Sequence, residues 1–196
     1  DAADSVPQPV FDCNGNGIED ALDIAFGTSP DFDANGIPDE CQGIVKYCTC
    51  PAPLGPCGNN DPNAGCINST GVGALFTPSG SSSVAADDLV LTGSQLPLNK
   101  IGVMLSGNMS VGPLPFGDGL RCAGGLVARW PAKFTGATGT VTYGPGLSAY
   151  SAATWPPAKQ LLPGTIWHFQ FWFRDPPGPC SNGFNLTDAV VVFFGP

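Results

Sequence analysis

The segment DCNGNGIEDALD, which begins at Asp12, sets oxygen-bearing side chains at alternate positions of a loop. Asp12, Asn14 and Asn16 take positions one, three and five, Gly17 position six, Asp20 position nine and Asp23 position twelve. Ile18, at position seven, can offer its main-chain carbonyl. A hard divalent cation such as Ca2+ takes roughly six to eight oxygens, and a loop of this spacing supplies them from alternate residues. Glycine at the sixth position permits the sharp bend that a β-carbon would obstruct. The pattern recurs as DFDANGIPDECQ, with Asp31, Asp33, Asn35, Gly36, Ile37 and Asp39 in the matching places. Its twelfth residue is Gln42, a weaker ligand, so Glu40 or a carboxylate of the first loop is expected to complete that site. Ca2+ is the expected cofactor.

The charge distribution singles out the same segment. The net charge is −9, yet residues 1–45 hold ten Asp and Glu with no Lys or Arg, while residues 46–196 are nearly neutral. An acidic front can be a solvated tail, but these acids are spaced and mixed with Gly and Asn, which favours ion ligation. No basic stripe exists, so nucleic acid is excluded as a partner. The residues that must position the loops are few. DALDIAF reads as a short helix, capped by Gly27 and stopped by Pro30. Cys13 and Cys41 flank the loops, and a disulfide between them would stabilise the segment by about 3–4 kcal/mol through lost chain entropy. A segment with so little core needs ions and a staple.

This module resembles the calcium repeats of thrombospondin type-3 and dockerin proteins through the pattern D-x-[DN]-x-[DN]-G-x-x-D-x-x-D. Residues 12–23 meet it fully and residues 31–42 up to position nine. The resemblance implies ions that rigidify an otherwise loose chain. Dockerins also bind a partner domain, but the hydrophobic loop position here differs from theirs.

The remainder, residues 46–196, reads as one disulfide-bonded unit. Gly and Pro are frequent, but 42% of the chain is hydrophobic, enough to build a core. Apolar runs between turn residues predict an all-β, antiparallel β-sandwich of jelly-roll or immunoglobulin-like type. Strands are expected near 74–77, 89–92, 100–105, 126–130, 139–143, 165–173 and 189–194. In TIWHFQFWF, Trp167, Phe169, Phe171 and Phe173 share one face and must be core. Ile166, His168, Gln170 and Trp172 share the other, mixed face, which could be half exposed. FGDG at 116–119 reads as a turn. AVVVFF is apolar on both faces, so it should be central in a sheet or covered by another chain.

Eight cysteines (13, 41, 48, 50, 57, 66, 122 and 180) point to disulfides and an oxidising compartment. A zinc site at Cys48, Cys50, Cys57 and Cys66 is the weaker alternative, because their spacing lacks C-x-x-C pairs. This region resembles a β-sandwich module found at the C-terminal end of many secreted bacterial proteins. The matching stretches are CGNN, FGDGLRCAGG, QFWFRDPPGPC and FNLTDAVVV, from Cys57, Phe116, Gln170 and Phe184. The resemblance implies a disulfide-bearing extracellular fold and no particular activity. Within it, Cys122 is expected to pair with Cys180, while the other four cysteines allow three pairings.

Catalytic constellations are weak. His168 stands alone inside an aromatic strand, with no nucleophile motif beside it. Asp87 and Asp88 are adjacent and would face opposite ways on a strand. Asp118, Arg121, Arg174 and Asp175 are expected to form surface ion pairs. Asn68, Asn108 and Asn185 begin N-x-[ST] sequons, expected on surface turns and open to glycosylation. No enzyme activity is expected. No apolar run is long enough for a membrane span. The start at Asp1, without Met, fits a mature secreted chain. Residues 1–11 carry Pro7 and Pro9 and read as an extended arm. Such an arm could add to the sheet edge of a neighbouring copy.

The sequence thus predicts three parts: an arm at 1–11, a calcium-binding module at 12–45 and a β-sandwich at 46–196. The expected function is that of an extracellular structural subunit, calcium-stabilised and self-assembling into a fibril or surface layer. The alternative is a secreted carbohydrate- or surface-binding module with Trp130, Trp155 and Trp172 as an exposed aromatic row.

Overall fold

A computed structural model describes residues 11–31 and 36–196. Two short helices open the chain, α1 (Asp20–Phe26) and α2 (Asp39–Gln42). Strands β1 (Ile44–Tyr47), β2 (Leu75–Ser79), β3 (Val90–Ser94), β4 (Ile101–Gly107), β5 (Met109–Phe116) and β6 (Gly119–Gly124) follow. After β7 (Ala128–Arg129), β8 (Lys133–Phe134) and β9 (Val141–Tyr143) come helix α3 (Leu147–Thr154) and strands β10 (Ile166–Arg174) and β11 (Phe184–Phe193). All ladders between named strands are antiparallel.

The main sheet runs β1-β11-β10-β4-β7, with β8 also on β4. Its centre is the pair β10 and β11. Trp167, Phe169, Phe171 and Phe173 alternate onto one face, as the period of two requires, and each is 0–2% exposed. The sheet β2-β3-β9 lies over that face, bringing Phe76, Leu91, Val141 and Tyr143 into the same core. Burying each of the four aromatic side chains of β10 stabilises the fold by about 1.5–3 kcal/mol.

The opposite face is more closed than its mixed composition predicts. The hairpin β5–β6 covers it, turning at Gly117, whose φ of 65° suits a glycine, and at Asp118. Beneath the hairpin, Cys122 packs with Val45, Tyr47, Ala189 and Val191. Gln170 is fully buried there, and its amide is satisfied on every side. Its Nε2 donates to Leu120 O (2.7 Å) and Thr187 O (2.8 Å), and its Oε1 accepts from Cys122 N (3.0 Å). His168 is also buried, with Tyr47 Oη 2.7 Å from its Nδ1. Strand β11 is apolar on both faces because it is paired on both edges, by β1 and by β10. Of the two places expected for this strand, central in a sheet or covered by another chain, it takes the first.

Helix α3 falls in a stretch with no amphipathic signal. Its first turn is capped from far away in sequence. Asp87 Oδ1 accepts Ser148 N at 2.8 Å and Asp87 Oδ2 accepts Ala149 N at 3.0 Å. Asp88 instead accepts from Ser81 N and Ser81 Oγ. The two adjacent acids thus serve as structural acceptors.

Four disulfides are present: Cys13–Cys41, Cys48–Cys122, Cys50–Cys66 and Cys57–Cys180. The expected Cys122–Cys180 pair is wrong. Cys122 lies on β6 above β1, so its neighbour is Cys48 just past the end of β1, whereas Cys180 sits in the β10–β11 connection against the Cys57 loop. No cysteine is free for zinc. Four disulfides mark a chain that matures in an oxidising environment. Among the described residues no helix is long and apolar enough to cross a membrane.

Candidate functional site

The first acidic loop is organised around its carboxylates. Asp12 Oδ1 accepts from Gly15 N (2.8 Å) and Asn16 N (3.1 Å), and its Oδ2 accepts from Gly17 N (2.9 Å). Gly17 takes φ 87°, the left-handed region that its place in the pattern requires. Asp20, at the start of α1, accepts Cys13 N at 2.9 Å. Asp23 is completely buried and gathers the rest: its Oδ2 accepts from Asn16 Nδ2 (2.8 Å) and Asn14 Nδ2 (3.3 Å), and its Oδ1 from Thr28 Oγ1 (2.7 Å). The Thr28 hydroxyl and the two amides hold the Asp23 carboxyl below its ordinary range against the opposing effect of burial. Asn14 and Asn16 thus meet on Asp23, while Asp12 holds the Gly15–Gly17 bend and Asp20 faces Cys13 N. Ile18 follows the bend and donates its N–H to Asn16 Oδ1 at 2.8 Å.

Glu40 departs from expectation. Instead of completing the second loop it turns to the first, accepting from Asn14 Nδ2 (3.0 Å) and Ser29 Oγ (2.5 Å). Its other oxygen, Oε2, is buried without a hydrogen-bond partner. Asp20 also lies beside the sulfurs of Cys13 and Cys41, but these are joined in a disulfide and cannot act as thiolate ligands.

Of the second loop, Asp33 and Asn35 lie outside the described residues, as does the side chain of Asp39. The visible part repeats the first loop. Asp31 Oδ2 accepts Gly36 N at 3.0 Å, and Gly36 takes φ 83°. Gln42, the neutral twelfth residue, donates to Ile37 O at 3.1 Å.

The donor chemistry fits a hard cation. The site presents carboxylates and amides, one orphaned buried carboxylate oxygen, and no Lys or Arg anywhere in residues 1–45. Among the described residues, the donors on the Asp23 carboxyl are the Thr28 hydroxyl and the Asn14 and Asn16 amides.

The other predicted sites fare unevenly. Asp118 and Asp175 are fully buried and make no surface ion pairs. Asp118 accepts Cys180 N and Asn182 N, and Asp175 accepts Ser69 N, so both hold loops of the disulfide-bonded end. Asn68 and Asn185 are not on surface turns. Both are buried, with amides donating to Gln95 O and Cys66 O. Asn108 is exposed. The aromatic row does not form, because Trp130 is buried and packs against Tyr150 and Trp155, away from Trp172.

A feature missed in the sequence lies beside Trp172. The hairpin covers the face of β11 and β10 but leaves β4 and β7 open, and a cleft of about 490 Å³ remains there. Val103 and Leu105 of β4 form its floor. Trp172, Phe184 and Phe116 form an aromatic wall, with successive ring centroids 5.6 and 5.0 Å apart. Arg121 and Arg129 line the cleft, and the Arg174 guanidinium lies 5.5 Å from the Trp172 ring centroid. These are all the arginines of the chain. No acidic residue lines the cleft; the Arg121 Nε donates to Ala123 O at 3.0 Å, and among the described residues no hydrogen bond or ion pair reaches the side chain of Arg129 or Arg174. The signal was present only as scattered arginines, whose convergence depends on tertiary pairing. Compared with models of known families, with curated proteins and with solved structures, the chain matches none.

Proposed function

We propose that this chain is an extracellular structural subunit whose N-terminal module is held rigid by Ca2+ and which assembles with copies of itself. The observation that carries the reading is that Asn14 joins the Asp23 and Glu40 carboxylates within a disulfide-stapled segment that has no Lys or Arg. Like charges brought together without a counter-ion raise the free energy of the fold. A divalent cation removes that cost. Asp12, Asn14, Asn16, Asp20, Asp23 and the Ile18 carbonyl would hold it, with Glu40 as an added carboxylate. Asp31 and its loop would hold a second, weaker ion. Bound metal would supply order to a segment too short to gain it from apolar burial.

The reading of the larger part as a sandwich is supported by two sheets sharing the core around Phe169 and Phe171. A structural role accords with buried acids that serve as loop and helix-cap acceptors. Of the expected arm at 1–11, residues 1–10 lie outside the described residues, and the arm contributes nothing to this reading.

The test is limited proteolysis and sedimentation with and without chelator. Ca2+ should protect the segment before residue 45 and favour larger particles, and EDTA should reverse both. Unchanged cleavage and unchanged particle size after chelation would defeat the proposal.

A further inference from the structure

The arginine-rimmed cleft and the acidic module carry complementary chemistry at opposite margins of one sheet. The module enters the fold through α2, which touches β1 and β11, and β1 is the margin strand there. The cleft lies at the other margin, over β4 and β7. The module bears the negative excess of the molecule, and two divalent ions would still leave it negative. It also exposes large apolar side chains. Phe11 is 73% and Phe26 71% exposed, and Leu22, one helical turn before Phe26, is 45% exposed. Glu19 is exposed at the start of the same helix. An aromatic side chain flanked by acids matches an aromatic cleft flanked by arginines that have no acidic partner among the described residues.

We propose that the cleft receives the α1 side of the N-terminal module of a second copy, with Phe26 as the anchor and Arg121, Arg129 and Arg174 facing its acids. The proposal rests on the self-assembling reading above and names its contact. A chain cannot easily serve itself, because its module and its cleft sit across the full width of the main sheet. Each copy therefore offers one module and one cleft, a heterologous contact that does not close on itself in pairs and runs head to tail.

The experiment uses two variants of the full chain in Ca2+. Arg129→Glu with Arg174→Glu disables the cleft at two exposed residues. Phe11→Ala with Phe26→Ala disables the module at two exposed residues, so neither pair should disturb folding, which circular dichroism checks. Wild type should associate in sedimentation velocity, more weakly at high salt. Each variant alone should associate at least about tenfold more weakly. Mixed together, they should form a one-to-one pair that stops there, since only one live module and one live cleft remain. Wild-type assembly with both variants assembling normally would overturn the contact while leaving the structural-subunit reading intact. A wild-type chain that stays monomeric at all concentrations would overturn both. A monomer whose cleft binds a uronic-acid oligosaccharide, with binding lost in the arginine variant, would assign the cleft to an acidic glycan and overturn the contact.

Discussion

Lys46 Nζ lies 2.9 Å from Asp188 Oδ2, joining a lysine that remains 38% exposed to a carboxylate that is fully buried. Asp188 Oδ1 also accepts Phe76 N at 2.5 Å, so one side chain fastens β11 to β1 and to β2. Burial pushes the Asp188 carboxyl up to about 6, with Lys46 pulling it back. Lys46→Met should therefore cost about 2–4 kcal/mol at neutral pH, because it leaves a buried charge without its partner. The cost should shrink near pH 5, where Asp188 takes a proton. Urea unfolding at the two pH values checks this, and an equal cost at both would refute it.

His168 titrates in the opposite sense. Burial beneath the hairpin pushes it down to about 4 from an ordinary 6.5, so the folded chain holds it neutral. Its contribution is present above about 6.5 and is lost as pH falls toward 4. Asp188 binds its proton more readily folded than unfolded, so its contribution is largest near pH 4 and is lost as pH rises through about 6. The two slopes oppose each other across the same window. Stability should fall on acidification in Asp188→Asn and rise on acidification in His168→Gln, relative to a flatter wild type. Identical profiles in all three proteins would exclude the assignment.

Gln170 is the polar pin between the main sheet and its hairpin. Gln170→Met keeps the volume but leaves Leu120 O, Thr187 O and Cys122 N without their partner. Buried backbone groups left unpaired cost about 1–3 kcal/mol each before relaxation. A net loss of about 3 kcal/mol in denaturant unfolding is expected, and a loss below about 1 kcal/mol would mean that water or rearrangement replaces the amide.

The two acidic loops should respond differently to mutation. Asp23→Asn removes the carboxylate on which Asn14, Asn16 and Thr28 converge, and calcium protection of the first loop should disappear. Gln42→Glu adds a carboxylate at the twelfth position of the second loop and should tighten its calcium binding about tenfold, since affinity follows ligand charge. Calorimetric titration reads both. A gain from Asp23→Asn or a loss from Gln42→Glu would contradict the ligand assignment.

What could be read from the sequence was what repeats or alternates locally. The alternate oxygens of the first loop, the matched Gly17 and Gly36, the aromatic face of β10 and the turn at Gly117 all follow from short-range periods. The rest depends on partners distant along the chain. β1 is only four residues, IVKY, and gains strand character by pairing with β11. Helix α3 is capped by Asp87, about sixty residues earlier. His168 and Gln170 looked half exposed because the covering hairpin could not be foreseen from β10 alone. The cysteine pairing failed for the same reason: Cys122 meets Cys48 across a separation of 74 residues, and nothing near either residue announces the other. The arginine cleft is assembled from β4, β5, β6, β7, β10 and β11, so no single stretch betrays it.

The cross-links also decide how the molecule bears a pull. Tension applied between the front of the chain and the residues after Cys180 need not travel along the backbone. It can pass from Cys13 to Cys41, along the short run to Cys57, and then directly to Cys180. Most of the β-structure lies inside the loop closed by Cys57 and Cys180 and is shielded from the load. A thread built from such units would stretch little: the calcium loops too are bypassed by Cys13–Cys41, and drawn hard it would give only at β1 and β11, which lie outside both closed loops, and at its joints.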